Sequence, residues 1–262
     1  MRRMSIWRGG IWLNSLFKKL GQKLITPHLQ PMKYRHLFFD LDHTLWDFET
    51  NAKECFQELY TDKQLQNRGI DDFDAFFSAY AVHNERLWSE YTKGLILQTE
   101  LRWRRMWLTL MDFGVEDEPL SKALSVEFLE RLPYKKNLFP HTIEILEYLK
   151  NKDYALHLIT NGFQEIQDQK LQSAELQGYF QEVITSEAAQ SLKPNRAIFD
   201  YALKQSKAHP DESIMIGDNQ EADIQGAANA GLDTVFVNHL QVVPQVQSTY
   251  MVHHLQELES IF

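Results

Sequence analysis

The chain has 262 residues, of which 44% are hydrophobic and 24% are charged, so it is long enough to bury a large core and disorder is excluded as its main state. The net charge of −9 argues against binding a nucleic acid polymer, because such binding depends on basic residues that neutralise phosphates. The single cysteine excludes an internal disulfide and a cysteine-based zinc site, and it favours a reducing, cytoplasmic compartment. No apolar stretch approaches the roughly 18 residues of a membrane span, so no membrane contact is expected.

Residues 1–31 form a basic N-terminal extension that differs from the rest of the chain, since they contain lysines and arginines but no acid. Leucines and Phe17 recur at helical spacing between lysines, which is typical of a short amphipathic helix on a membrane surface or a partner. Glycines and prolines interrupt this pattern, and they favour the alternative of a dispensable extension that precedes the folded domain.

Short apolar runs alternate with helical patterns along the rest of the chain. The apolar runs predict five buried strands, at 36–39, 156–159, 183–184, 214–216 and 235–237. Helical segments separate them, for example at 141–151, 163–175 and 195–206. This alternation predicts an α/β fold in which helices cover both faces of a doubly wound, parallel, Rossmann-like sheet.

The interval between the first two predicted strands is too long for a simple crossover, which needs about 30 residues. Within it, apolar residues at spacings of three and four predict helices at 71–91, 98–112 and 118–131. We therefore predict an inserted α-helical cap subdomain at 51–135, with the α/β core formed by 32–50 and 136–262. The alternative, a helical hairpin packed on the sheet, would leave the crevice uncovered.

Polar residues follow three of the predicted strands, and a lysine opens a later helix. The stretches are Asp40-Leu41-Asp42-His43-Thr44, Thr160-Asn161-Gly162, Lys193-Pro194, and Gly217-Asp218-Asn219 with Asp223 beyond. Each alone is compatible with an ordinary turn or helix cap. Together they predict a site, because the carboxyl ends of parallel strands meet at one edge of a sheet. Converging carboxylates repel one another unless a cation lies among them, and their hard oxygen atoms favour Mg²⁺.

These four stretches, in this order, resemble the motifs of the haloacid dehalogenase superfamily, specifically its phosphatase branch. The resemblance covers roughly 33–260, and the predicted insertion is similar to the helical cap that this family places after its first strand. The continuation Leu45-Trp46-Asp47-Phe48-Glu49 and the aromatic cap are similar to the pyrimidine 5′-nucleotidase group of the superfamily.

The resemblance implies a Mg²⁺-dependent phosphomonoester hydrolase that works through an aspartyl-phosphate. Asp40 would be the nucleophile, and Asp42 would protonate the leaving oxygen and then take a proton from water. The dehalogenases lack the second aspartate, so the presence of Asp42 favours phosphoryl transfer over carbon–halogen cleavage.

The resemblance also implies which residues bind the ligands. Magnesium would be held by the Asp40 carboxylate, the Asp42 main-chain carbonyl and Asp218. Asp223 would act through water or by orienting Lys193. The remaining roles are phosphate binding by Thr160 and the Asn161 N–H, and charge neutralisation by Lys193.

A nucleoside 5′-monophosphate is the predicted substrate, and the alternatives are a phosphosugar phosphatase and a phosphoglucomutase-like phosphotransferase. Trp46 and Trp88 are the candidate specificity residues. Other aromatic and basic residues of the cap are weaker candidates, since a Trp at helical spacing is usually part of a core: Tyr91, Arg102, Trp103, Arg104, Arg105 and Trp107. The long insertion and the position of Asp40 after the first strand argue against a receiver-type signalling domain. The oligomeric state stays open.

Overall fold

The structure is a computed structural model and describes residues 33–262. Its sheet has six strands, which are β1 (His36–Phe39), β2 (Ala155–Thr160), β3 (Glu182–Thr185), β4 (Ser213–Gly217), β5 (Asp233–Val237) and β6 (Tyr250–Val252). All pairings are parallel, and the strand order is β3-β2-β1-β4-β5-β6. From β1 the chain continues to β2 and β3 on one side of the sheet, and from β4 it continues to β5 and β6 on the other side. This reversal opens a crevice at the carboxyl ends of β1 and β4.

Nine α-helices connect the strands within the described part of the chain. They are α1 (Phe48–Asp62), α2 (Phe73–Thr92), α3 (Gln98–Asp112), α4 (Glu118–Arg131), α5 (Thr142–Asn151), α6 (Gln164–Ser173), α7 (Ser186–Ala189), α8 (Arg196–Ser206) and α9 (Gly226–Ala230). A π-helical turn, Gln220–Gln225, precedes α9. The first four helices all lie between β1 and β2, so the predicted α/β fold with an inserted helical cap is confirmed.

The strands are continuously apolar because both faces of the sheet are covered. On β1, Leu37 and Phe39 belong to one hydrophobic cluster, which includes residues of α5. Phe38 points to the opposite face, where it belongs to a second cluster with Ile198 and Phe199 of α8. Successive side chains of a strand point to opposite faces, so an unbroken apolar run is what a doubly covered sheet requires.

Aromatic packing holds the cap helices together. The Phe56 ring of α1 lies 4.2 Å from Tyr80 of α2 and 4.7 Å from Phe128 of α4, measured between ring centroids. Helix α1 begins at Phe48, since the Asp47 side chain accepts a hydrogen bond from the Thr50 N–H at 3.0 Å. The predicted boundary between core and cap, at 50 and 51, thus falls inside a helix, and the division into domains stays a prediction.

The cap contacts the core through a small apolar cluster. Leu87, Ile96 and Leu101 of the cap surround Phe163, which precedes α6. The Trp88 ring is stacked on Phe163 with the centroids 5.8 Å apart. The cap therefore rests on the residue that directly follows the Thr160-Asn161-Gly162 stretch.

The predicted N-terminal extension, 1–31, lies outside the described residues. Among the helices of 33–262, none combines the length and apolar character that crossing a bilayer requires.

Two histidines of adjacent strands form a pair inside the sheet. His36 Nδ1 lies 3.0 Å from His157 Nε2, and the buried His157 Nδ1 has no hydrogen-bond partner among the described residues. An unpaired acceptor costs less than an unpaired donor, so this arrangement favours the tautomer in which His157 Nε2–H donates to His36. Burial, together with the nearby His36, lowers the pKa of His157 to about 4.

The lowered pKa of His157 should therefore make the free energy of unfolding depend on pH. As the pH falls from about 6.5 towards 4, the unfolded chain takes up a proton that the folded chain excludes, so stability is lost in this window by on the order of 3 kcal/mol. In urea unfolding at pH 7 and pH 4.5, His157→Leu should lose less stability than the wild type. His209→Gln, at an exposed position, is the control. Equal pH dependence of the wild type and His157→Leu would contradict the assignment.

Candidate active site

Lys193 is a buried lysine that joins three parts of the site. Its Nζ lies 2.6 Å from Asp40 Oδ1, 2.7 Å from Asp223 Oδ1 and 2.7 Å from the main-chain oxygen of Ile159. The ammonium donates hydrogen bonds to Asp40 Oδ1 and to the Ile159 oxygen, and it forms an ion pair with Asp223. Burial opposes the charge of Lys193, but the two carboxylates outweigh burial and raise its pKa, so Lys193 is charged.

Three carboxylates converge beside this lysine. Asp40, Asp218 and Asp223 each offer an oxygen atom, and these atoms lie within 4.8 Å of one another. Burial and the neighbouring acids raise the pKa of Asp40 well above its ordinary value. Burial and Asp223 raise the pKa of Asp218 to about 7, although Thr44 Oγ1 donates a hydrogen bond to Asp218 at 2.8 Å.

The charges of this cluster do not balance without a cation. One lysine cannot compensate two buried carboxylates, Asp40 and Asp223, and the half-buried Asp218, and the raised pKa values of Asp40 and Asp218 express that excess of negative charge. A divalent ion that prefers oxygen ligands would remove the repulsion. The donor set therefore fits Mg²⁺, and it places the Asp223 carboxylate within reach in addition to the predicted ligands Asp40 and Asp218.

Thr160 ends β2 with a hydroxyl that remains able to donate. Its Oγ1 accepts hydrogen bonds from the Gly162 N–H at 3.0 Å and from Gln167 Nε2 at 2.7 Å. Both bonds leave the hydroxyl proton available for a phosphate oxygen. The Asn161 side chain instead holds the Lys193 main chain, since Oδ1 accepts from the Lys193 N–H at 2.7 Å and Nδ2 donates to its carbonyl at 2.9 Å.

Asp42 is held by two residues of α6 that the sequence analysis missed. Lys170 Nζ lies 2.6 Å from Asp42 Oδ1, and Gln167 Nε2 donates to Asp42 Oδ2 at 2.9 Å. Their spacing of three residues places both side chains on one face of α6. The sequence feature that could have identified them is a glutamine and a lysine at positions where the helical pattern faces the core.

The environments of the two aspartates push their pKa values apart. Burial alone would raise the pKa of Asp42, but the Lys170 ammonium and the hydrogen bonds outweigh it and hold the pKa below its ordinary value. The pKa of Asp40, in contrast, is raised by burial and by the neighbouring acids. These directions are the reverse of what a nucleophile beside an acid needs. A cation in the acidic cluster would favour the carboxylate form of Asp40.

The structure corrects the prediction for Trp46, which is fully buried and has no exposed surface for a substrate ring. Lys170 Nζ instead lies over the Trp46 ring, 4.3 Å from its centroid, and Trp46 Nε1 donates to the Lys135 carbonyl at 3.3 Å. Trp88 is only partly buried, at the contact between cap and core, and it stays a candidate.

The weaker cap candidates lie in several environments. Trp103 and Trp107 share a face, with ring centroids 6.4 Å apart, and Lys122 of α4 lies over Trp103. The Arg102 guanidinium lies 4.8 Å from the Phe163 ring centroid. Arg105 is buried inside the cap, where its Nη1 donates to Asn84.

The fold and the acidic site define a class of protein. Residues 110–237 match the family model of haloacid dehalogenase-like hydrolases. The magnesium-bound structure of YfnB from Bacillus subtilis superposes with a TM-score of 0.79 at 26% identity, over 87% of this chain and 98% of that chain.

Two relatives match nearly the whole chain. The pyrimidine 5′-nucleotidase PynA of Streptococcus pneumoniae is 34% identical, over 87% of this chain and 94% of its own length. The pyrimidine 5′-nucleotidase YjjG of Escherichia coli is 32% identical, over 88% of this chain and 98% of its own length. The chain therefore belongs to the haloacid dehalogenase-like hydrolase family, and it is a phosphatase of that family.

Gly217 provides the space that Asp223 occupies. A Cβ atom at this position would overlap the Asp223 carboxylate, whose Oδ2 accepts a hydrogen bond from the Asn219 N–H at 3.0 Å. The approach of the π-helical turn to the end of β4 therefore requires glycine.

Gly217→Ala should displace Asp223 and, through it, Lys193. Since a misplacement of about 1 Å at a catalytic site costs about 10²-fold in rate, we expect a loss of that order in phosphate release. Gly178→Ala is the matched control, because Gly178 is exposed and an added Cβ there meets nothing within 4 Å. Full activity of Gly217→Ala, measured at saturating Mg²⁺, would contradict this interpretation.

Proposed function

We propose that this phosphatase is a Mg²⁺-dependent 5′-nucleotidase that hydrolyses pyrimidine nucleoside 5′-monophosphates through an aspartyl-phosphate. The observation that carries the chemistry is the convergence of Asp40, Asp218 and Asp223 around Lys193. The observation that favours the substrate is the similarity to two pyrimidine 5′-nucleotidases over nearly the whole chain.

The first half of the proposed reaction transfers the phosphoryl group to the protein. A carboxylate oxygen of Asp40 attacks phosphorus, and the bond between phosphorus and the ester oxygen breaks as the new bond forms. Asp42 gives a proton to the leaving oxygen. The Thr160 hydroxyl and the Asn161 N–H donate to phosphate oxygens, while the Lys193 ammonium neutralises developing charge.

The second half restores the protein. A water molecule attacks phosphorus, its proton passes to Asp42, and the bond between phosphorus and Asp40 breaks to release inorganic phosphate. The position of Lys170 suits this step, since its ammonium favours the ionised form of Asp42 that accepts a proton.

Magnesium would be held by the carboxylates of Asp40 and Asp218 and by the main-chain carbonyl of Asp42, with Asp223 close by. When bound, it would offset the negative charge of both the attacking carboxylate and the phosphate. The proposed partner is a small phosphorylated metabolite, and the cap helices contact the core at Phe163, close to the proposed phosphate-binding residues. A cytoplasmic location follows only from the single, buried Cys55 and stays a prediction.

A phosphosugar phosphatase is the second candidate. The glyceraldehyde 3-phosphate phosphatase of Methanothermobacter thermautotrophicus is 31% identical over 77% of this chain and 84% of its own length. The same site chemistry would serve either ester, so the leaving group decides between the two functions.

A phosphate-release screen tests the proposal. The substrates are pyrimidine and purine nucleoside 5′-monophosphates, glyceraldehyde 3-phosphate and hexose phosphates, each with Mg²⁺ and with a chelator. We expect the highest kcat/KM for pyrimidine nucleotides, a loss of activity in the chelator and recovery when Mg²⁺ is restored. A preference for glyceraldehyde 3-phosphate would favour the second candidate. Isomer interconversion without phosphate release would indicate a phosphoglucomutase-like phosphotransferase instead.

A further inference from the structure

Helix α6 carries two buried polar side chains, Gln167 and Lys170, on the face that contacts the active site. The motifs assign neither of them a role. Buried lysine and glutamine are uncommon unless their polar atoms are paired, so their contacts indicate what they do.

The Gln167 amide connects the phosphate-binding residue to the acid–base residue. Its Nε2 donates to Thr160 Oγ1 at 2.7 Å and to Asp42 Oδ2 at 2.9 Å. A carboxylate only accepts hydrogen bonds, so the amide nitrogen rather than Oε1 must face Asp42. The two hydrogens of one nitrogen atom therefore set the separation between Thr160 and Asp42.

This orientation has a cost elsewhere in the same side chain. Gln167 Oε1 is buried and has no hydrogen-bond partner among the described residues. Leaving a buried acceptor unpaired costs about 1–3 kcal/mol. The bonds of Nε2 to Thr160 and Asp42 therefore determine how the amide is oriented.

Gly162 makes room for this side chain. A Cβ atom at Gly162 would overlap the Cδ and Nε2 atoms of Gln167. Gly162 does not have a positive φ, so its backbone conformation does not require glycine. The close approach of Gln167 supplies the physical reason for a glycine after Thr160 and Asn161.

Lys170 restrains the other oxygen of the same carboxylate. Its Nζ lies 2.6 Å from Asp42 Oδ1 and faces the rings of Trp46 and Phe48, at 4.3 Å and 5.7 Å from their centroids. Both oxygens of Asp42 are thus bound from one helix, which leaves the carboxylate little freedom to rotate.

We propose that Gln167 and Lys170 are positioning residues that hold Asp42 at a set distance from Thr160. When Asp42 carries the proton that the proposed mechanism gives it, this arrangement keeps that proton beside the leaving oxygen of an ester whose phosphoryl group contacts the Thr160 hydroxyl. The proposal rests on the proposed function, because it assigns to Asp42 the acid role of that mechanism.

Single-turnover kinetics with Gln167→Leu tests the proposal. We compare release of the leaving group from a pyrimidine nucleoside 5′-monophosphate, which needs protonation, and from p-nitrophenyl phosphate, which does not. The variant should lose about 10-fold or more in rate with the nucleotide relative to the aryl ester, because a displaced acid penalises only the poor leaving group. In an Asp42→Asn background this selective loss should disappear, because no acid remains to be positioned.

Controls separate positioning from folding. Gln172→Leu changes an exposed glutamine of the same helix, and it should behave as the wild type. Lys170→Met is the second variant, with exposed Lys204→Met as its control, and it should show the same selectivity as Gln167→Leu. Thermal unfolding of each variant identifies any general loss of structure.

Two outcomes would overturn the proposal. One is an equal loss for both esters in folded Gln167→Leu and Lys170→Met, and the other is a selective loss that persists in the Asp42→Asn background. Failure of the wild type to release phosphate from any monoester would contradict the proposed function itself. An active wild type with unselective variants would contradict only the positioning role.

Discussion

Asp40→Asn should lower phosphate release by at least about 10⁴-fold, because an amide cannot attack phosphorus to form the covalent intermediate. The folded state should not be weakened in proportion. Burial and the neighbouring acids raise the pKa of Asp40, so a neutral side chain relieves repulsion there, while Lys193 keeps Asp223 as a partner. We therefore expect an inactive protein whose unfolding temperature equals or exceeds that of the wild type.

The measurements are turnover of the preferred ester, thermal unfolding and intact-protein mass after rapid quenching. The wild type should show a transient gain of one phosphoryl group, and Asp40→Asn should show none. Asp211→Asn removes an exposed acid and is the control. If Asp40→Asn turns over substrate near the wild-type rate, Asp40 is not the nucleophile.

Asp42→Asn should impair the two half-reactions to different extents, depending on the leaving group. A general acid contributes about 10²–10⁴-fold, so transfer from a nucleoside 5′-monophosphate should slow by that factor. Transfer from an activated aryl phosphate should be less affected, because its leaving group needs no proton. Hydrolysis of the aspartyl-phosphate should then become limiting, since the residue that takes a proton from water is missing.

With the aryl phosphate, Asp42→Asn should therefore give a burst of phenol release followed by slow turnover, and the phosphorylated protein should accumulate. Stopped-flow absorbance measures the burst, and quenched mass spectrometry measures the accumulation. If both ester types lose the same factor in single-turnover phosphoryl transfer, Asp42 does not act as the acid.

Much of the fold followed from periodicity. The strands β1 to β5 lie within two residues of the predicted runs, because a strand covered on both faces leaves a continuous apolar stretch bounded by polar residues. Helices α3 and α4 match their predicted bounds. The prediction did not include β6, a three-residue edge strand with two exposed residues, since so short a segment has no distinctive pattern.

The convergence of the site residues that follow or end the strands was also predictable. Asp40, Thr160 and Asp218 each stand at the end of a parallel strand, and the topology brings such ends together. The partners of Asp42 were not predictable, because the orientation of its side chain depends on how α6 packs against the loop that follows β1. For the same reason the burial of Trp46 beneath Lys170 escaped prediction.

The sequence by itself determined the α/β class, the helical insertion and the aspartates that end the strands, because these depend on local patterns and chain order. Only the tertiary structure decided that Lys193 contacts Asp40 as well as Asp223, that Gln167 links Thr160 to Asp42, and that Gly162 and Gly217 make room for side chains. These contacts join residues up to 153 positions apart, from Asp40 to Lys193. Their geometry arises from the packing of helices on the sheet, which no local pattern in the sequence encodes.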